Sequence, residues 1–267
     1  MASDKATQLP FSAPTLFTSA TDARITRLSR VLSTSGGVDA TLTLVGYGLF
    51  FVSSQITALD KLQMTSLLHP GGSKNGSTSL VKLEELGASA KTLAGMCSDF
   101  RTFTRLWGFL GVYAMAKKNY VKPETDVVLR AVSYGQTLSL GAYYVYENGY
   151  YLAGKGVLRG WTPEKIKRWA KTSLRMFLAY VLLEFVRLYR ARQLRELRKV
   201  KAVDEKDMVE FKREEKTWLR GAIMNTAYAP LGVHWASENP ALSDGVVGAL
   251  MSVVGLIKIR AAWALAA

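Results

Sequence analysis

From Ala40 to Leu59 the chain runs for 20 residues without a charged side chain. This is its longest such window, and it has the length an α-helix needs to cross a bilayer. Thr41, Thr43, Gly46, Gly48, Ser53 and Ser54 lie within it, so a helix buried in a bundle also fits. A second apolar stretch, Gly245 to Ile257, is rich in small residues, and its Gly248 and Gly255 suit close helix contacts. Lys258 and Arg260 end it on the positive side, which places the C-terminus in the cytosol. Only the first window meets the length test unaided, so the number of spans stays open.

Charge points the same way. The net charge of +14 calls for an acidic partner, nucleic acid or an anionic membrane face. Twelve Lys/Arg and two Glu (Glu184, Glu196) fall between Lys165 and Lys201, on both sides of the apolar run Met176 to Leu183. Lys165, Lys167 and Arg168 precede that run; Arg187, Arg190 and Arg192 follow it. Cations flanking an apolar run are a juxtamembrane pattern, so an anionic phospholipid membrane is the expected partner and nucleic acid is not. With 49% hydrophobic residues a disordered chain is excluded, and a lone cysteine, Cys97, excludes a disulfide framework. Met1 to Lys5 leads into no apolar segment, so entry from the cytosol on internal signals is expected.

Along the chain, residues 1–20 are Pro/Ser/Thr-rich and read as a mobile arm, with one helical domain over 21–267. Ile25, Leu28, Val31 and Leu32 share a helix face, with Asp22 as N-cap and Gly36–Gly37 as the break. Residues 69–79 are a loop. Val81 to Lys118 reads as one or two helices, with Leu93, Met96, Phe100, Phe103, Trp107, Leu110 and Ala114 recurring at three- and four-residue steps. Such a stripe suits a core-facing helix, or a helix lying in the headgroup plane with aromatics inserted. Pro123 suits a first helical position. Tyr144 to Tyr151 around Asn148–Gly149 permits a hairpin, but Leu138, Ala142, Val145 and Leu152 share a helical face, and too few strand-like segments exist for a barrel. Gly154–Lys155–Gly156 ends that helix. Thr162–Pro163–Glu164 starts the next, which runs to about Val203. Residues 204–220, with six acidic and five basic side chains, read as a charged helix outside the bilayer on the cytosolic side. The expected fold is an all-α, membrane-associated bundle of amphipathic helices and one to three embedded ones.

Catalytic patterns are missing. His69 and His234 have no carboxylate or cysteine at metal-ligand spacing, Cys97 sits in an apolar helix pattern, and no phosphate-binding or nucleophile motif occurs. Glu184 is a carboxylate inside an apolar run, for which a pair with Arg187 is the simplest account. No enzyme, metal or cofactor is expected.

Four stretches, taken in order, resemble the peroxin-eleven family of peroxisomal membrane proliferation proteins, most closely its fungal C-type branch. They are Asp22 to Leu28, Ser98 to Gly108, Ala142 to Asn148 running into Gly154 to Leu158, and Val246 to Lys258. The family's version of the third is helical, which supports helix over hairpin. The resemblance implies a peroxisomal membrane protein with cytosolic termini that elongates the membrane during proliferation and fission. It implies amphipathic-helix insertion in which Phe100, Phe103, Trp107 and Leu110 enter the bilayer while Lys91, Arg101 and Arg105 touch lipid phosphates. It further implies homo- or hetero-oligomers with family members, a membrane-protein import receptor, and dynamin-type fission machinery as partners. The competing readings are a metabolite pore, with Glu184 and Asn148 lining a path, and a soluble helical adaptor.

Overall fold

A computed structural model describes residues 19–67, 77–200 and 205–266, which form eight α-helices and no strand. They are α1 (Ser19–Leu32), α2 (Ser35–Leu67), α3 (Ser77–Thr104), α4 (Gly108–Val121), α5 (Val127–Gly154), α6 (Pro163–Lys199), α7 (Glu205–Ala236) and α8 (Asp244–Leu265). A 3-10 turn, Arg105–Trp107, joins α3 to α4. Most of the expected N-terminal arm, and the loop at 69–79 with His69 as far as residue 76, lie outside the described residues.

Several boundaries differ from the sequence reading. Asp22 falls in the first turn of α1 rather than capping it. The break comes at Ser33–Thr34, ahead of the two glycines, which sit in the first turn of α2. Gly37 is needed there because the Val31 carbonyl occupies the space a Cβ would take. Pro123 lies in the α4–α5 link, and Asp126 is the cap: its Oδ1 accepts from the Leu129 N–H at 3.0 Å. Thr162 caps α6 with Pro163 at its start, as the sequence indicates, and α6 ends at Lys199. The charged segment from residue 205 is continuous with the apolar one after it, since α7 runs through Pro230 to Ala236. Tyr144 to Tyr151 is helical within α5, and a left-handed Gly156 follows its end.

Among the described residues two helices are long and apolar enough to cross a membrane, residues Ser35–Leu62 of α2 and Asp244–Leu265 of α8. They pack antiparallel. A Cβ on Gly248 would stand 2.8 Å from the Phe51 Cα, and one on Gly255 2.7 Å from the Leu44 Cα. The two contacts are seven residues apart on both helices, so the backbones touch along a seam that only glycine permits. The opposite side of α2 meets α3, also antiparallel, with Gly46 against Cys97 and Gly87 against Ile56. On the other flank α6 lies between α5 and α7. Gly149 meets the Trp169 ring, Tyr143 meets Phe177, and Asn225 Nδ2 donates to the Val181 carbonyl at 3.1 Å. Leu231, Val247 and Met251 close α7 onto α8. With α4 packed on α5, the packing runs in the order α3, α2, α8, α7, α6, α5, α4, and the 3-10 turn connects its two ends.

Candidate membrane interface

The aromatic stripe is on the outside. Leu93, Met96, Phe100, Phe103, Trp107 and Leu110 are all exposed, Trp107 at 58% and Leu110 at 69%, and Ala114 is exposed as well. Phe103 and Trp107 meet edge to face at 5.6 Å, and Phe109 and Tyr113 extend the patch along α4. A row of bulky apolar side chains left uncovered across α3, the 3-10 turn and α4 is more than scattered surface hydrophobicity; such patches mark interaction surfaces. A core-facing role is therefore closed to this stripe within the monomer. α3 lies alongside α2, antiparallel to a helix of spanning length, so it does not run crosswise to it.

The arginines of the same segment are turned the other way. Arg101 is 8% exposed, and its Nε donates to Asp39 of α2 at 2.8 Å, while Lys258 of α8 donates to the other Asp39 oxygen at 2.9 Å. Arg101 also lies 5.7 Å from the Tyr47 ring centroid. Arg105 donates twice to Glu147 of α5, each at 2.8 Å, and the Tyr143 hydroxyl donates to the same carboxylate at 2.6 Å. Both cations were expected at lipid phosphates; here each is held in an ion pair, Arg101 buried and Arg105 half-buried. These pairs fix α3 and the 3-10 turn on α2, α8 and α5, and so set the aromatics outward. Gly108 contributes too, because the Tyr144 ring occupies its Cβ position. Lys91 is exposed on α3 and makes no ion pair among the described residues.

The basic residues of α6 divide between its ends. Lys165 sits 4.1 Å from the Trp161 ring centroid, and Lys167 and Arg168 are exposed beside it. Beyond the apolar run, Arg187 donates twice to Glu184, Arg190 pairs with Asp126 at 2.8 Å, and Arg192 lies 5.4 Å from the Trp218 ring centroid. The Glu184–Arg187 pair expected from sequence is present, and Gln136 of α5 adds a third bond to Glu184 at 2.8 Å. Hydrogen bonds from Arg190 and from the Leu129 N–H hold the Asp126 carboxyl below the usual carboxylate range. Likewise the bond to Asp99 raises the Lys155 ammonium. Cys97 is a buried thiol against Gly46, and His234 Nδ1 accepts from the Leu242 N–H at 3.0 Å.

Asp39 is a structural residue the sequence did not single out; Lys258 reads there only as the positive end of an apolar stretch, and Glu147 only as part of the stretch Ala142 to Asn148. Asp39 directly precedes the uncharged window, and Glu147 stands alone in an aromatic run; an isolated carboxylate in such company asks for a partner.

No curated protein and no solved structure matches the chain. A family model described as Peroxisomal biogenesis factor 11 (PEX11) matches residues 77–263. The match takes in α3 to α8, including the aromatic face and the Arg105–Glu147 pair, and leaves α1 and α2, with Asp39, outside. The chain therefore belongs to the peroxisomal biogenesis factor 11 family, whose work is peroxisome biogenesis and proliferation at that organelle's membrane.

Proposed function

We propose that this protein shapes the peroxisomal membrane by setting the aromatic edge of α3 and α4 into the cytosolic leaflet. The exposed row Phe100, Phe103, Trp107 and Leu110 carries this reading. These residues lie around Arg101, which shares the Asp39 carboxylate with Lys258 near one end of the apolar stretches of α2 and α8. Aromatic side chains favour that boundary between hydrocarbon and headgroups. Wedging bulk into one leaflet expands it relative to the other and favours a tubule. In this reading Arg101 and Arg105 act from behind by orienting the aromatics and would reach phosphate only by opening their pairs, while Lys91, further back along α3, lies level with the middle of α2 and away from the headgroups.

α2 and α8 are antiparallel, and Arg27 of α1 donates to the Trp263 carbonyl at 2.6 Å, which supports both termini facing one side. Lys258 and Arg260 make that side the cytosol. There the protein meets relatives and dynamin-type fission machinery, and the membrane-protein import receptor engages it from the same side. The C-type branch rests on the order of the four sequence stretches given above. Flotation and electron microscopy with anionic liposomes test the mechanism. Wild type is expected to float and tubulate, while the Phe100→Ala, Phe103→Ala, Trp107→Ala variant floats but leaves vesicles round. Equal tubulation by both would overturn it.

A further inference from the structure

An open cleft of about 1240 Å³ lies between α6, the first half of α7 and the start of α5. Arg195 is on its wall and only 4% exposed, yet its Nε has no hydrogen-bond partner. The nearest carboxylate is the half-exposed Glu196, 3.8 Å away and outside hydrogen-bond distance. The guanidinium lies 5.5 Å from the centroid of the Trp218 ring, which Arg192 shares at 5.4 Å. Trp218 is itself pinned, its Nε1 donating to the Leu188 carbonyl at 2.8 Å. A contact with an aromatic ring serves the flat face of a guanidinium; its N–H donors lie in the plane and still need acceptors.

Neighbouring charges do not supply them. Arg198 is paired with Glu214, Arg187 with Glu184, and Asp126 with Arg190. Among the described residues Arg213, Glu124 and Glu210 line the cleft without an ion pair. A buried guanidinium whose Nε–H has no acceptor and whose nearest carboxylate stands at 3.8 Å is under-satisfied, and an anion at its remaining nitrogens relieves it. Leu129, Leu194 and Val209 make much of the remaining wall apolar.

We infer that this cleft binds a phosphate ester, anchored by Arg195 with Arg213 as a second donor, and that the ester is the headgroup of a phospholipid. The apolar wall fits the glycerol and upper acyl region. Glu124 and Glu210 oppose a second negative charge and suit the ammonium of a zwitterionic headgroup. The cleft is formed by α5, α6 and α7, away from the aromatic row of α3 and α4, so the inference stands apart from membrane wedging.

The full chain in a phosphate-free detergent is titrated with dihexanoyl phosphatidylcholine and, separately, with inorganic phosphate. The lipid is expected to bind, and Arg195→Gln to weaken it at least about tenfold, as loss of a hydrogen bond to a charged group implies. Arg192→Gln, on the same ring but exposed, is expected to leave binding unchanged. Inorganic phosphate that binds through Arg195 as tightly as the lipid would support the anion site and assign it to a soluble phosphate. Equal lipid affinity in wild type and Arg195→Gln would overturn the proposal. Should Arg195→Gln fail to fold, a brominated short-chain phosphatidylcholine gives a second reading. It is expected to quench a fluorescence component of wild type that Trp218→Phe lacks, and identical quenching in the two would overturn the site.

Discussion

Where α8 meets α2, Gly248 and Gly255 bring the two backbones into contact, and Lys258 pairs with Asp39 across the seam. Where α6 meets α5, large side chains fill the space. Trp169 lies over Gly149, Tyr143 meets Phe177, and Gln136 reaches Glu184. The contrast follows from the surroundings each seam suits. Lipid gives two apolar helices no hydrophobic reason to associate, so close backbone approach and dispersion must hold them. Aromatic rings with polar handles work best at a boundary, where one end is apolar and the other wet. The α2–α8 seam has no room for adjustment, whereas the α5–α6 seam consists of parts that can move.

The comparison can be broken at several points. Glu147→Ala strands Arg105 on the side-chain-built half and is expected to cost about 3 kcal/mol, the scale for removing one partner of a buried pair. Unfolding in detergent measures it, and a loss below about 1 kcal/mol would show that the pair is solvated rather than structural. Gly255→Leu is next, at about 1–3 kcal/mol for overpacking, because the Leu44 backbone already occupies the space. Gly48→Leu, on the same α2 but facing open space, is the control and is expected to be nearly neutral; equal effects would mean the seam is not backbone-limited. The smallest effect concerns pH. Since Asp126 titrates below an ordinary carboxyl when folded, its stabilising contribution is complete above about pH 4 and is lost as pH falls through the lowered value. Thermal midpoints measured from pH 5 to pH 2 should fall less steeply in Asp126→Asn than in wild type, and parallel acid limbs would remove the cap–arginine contact from the account.

Local signals were legible, and distant ones were not. Thr162–Pro163–Glu164 announced the start of α6, and the face shared by Leu138, Ala142, Val145 and Leu152 showed helix in place of a hairpin. Both depend on residues a few positions apart. The cap of α5 was misplaced because Pro123 and Asp126 each mark a helix start, and the choice of Asp126 is reinforced from α6 by Arg190. The inward turn of Arg101 and Arg105 was hidden for the same reason at greater range, since their carboxylates lie 62 and 42 residues away. Helical periodicity grouped the aromatics into one stripe, as the structure has them. It gave no indication of which side faced the bundle, and the exposed side proved to be the aromatic one.

The partners of the Asp39 carboxylate are synthesised in a fixed order. Arg101 is 62 residues downstream and Lys258 is 219. At a synthesis rate of about 5–20 residues per second, the arginine emerges roughly 3 to 12 s after Asp39 and the lysine roughly 11 to 44 s after it. During that interval the first spanning-length helix is without its glycine-matched neighbour, and Arg101 of α3 is the cation at hand for its charge. Lys258 is made last, with α8, so the backbone-to-backbone seam and the completed charge cluster both wait on the same segment.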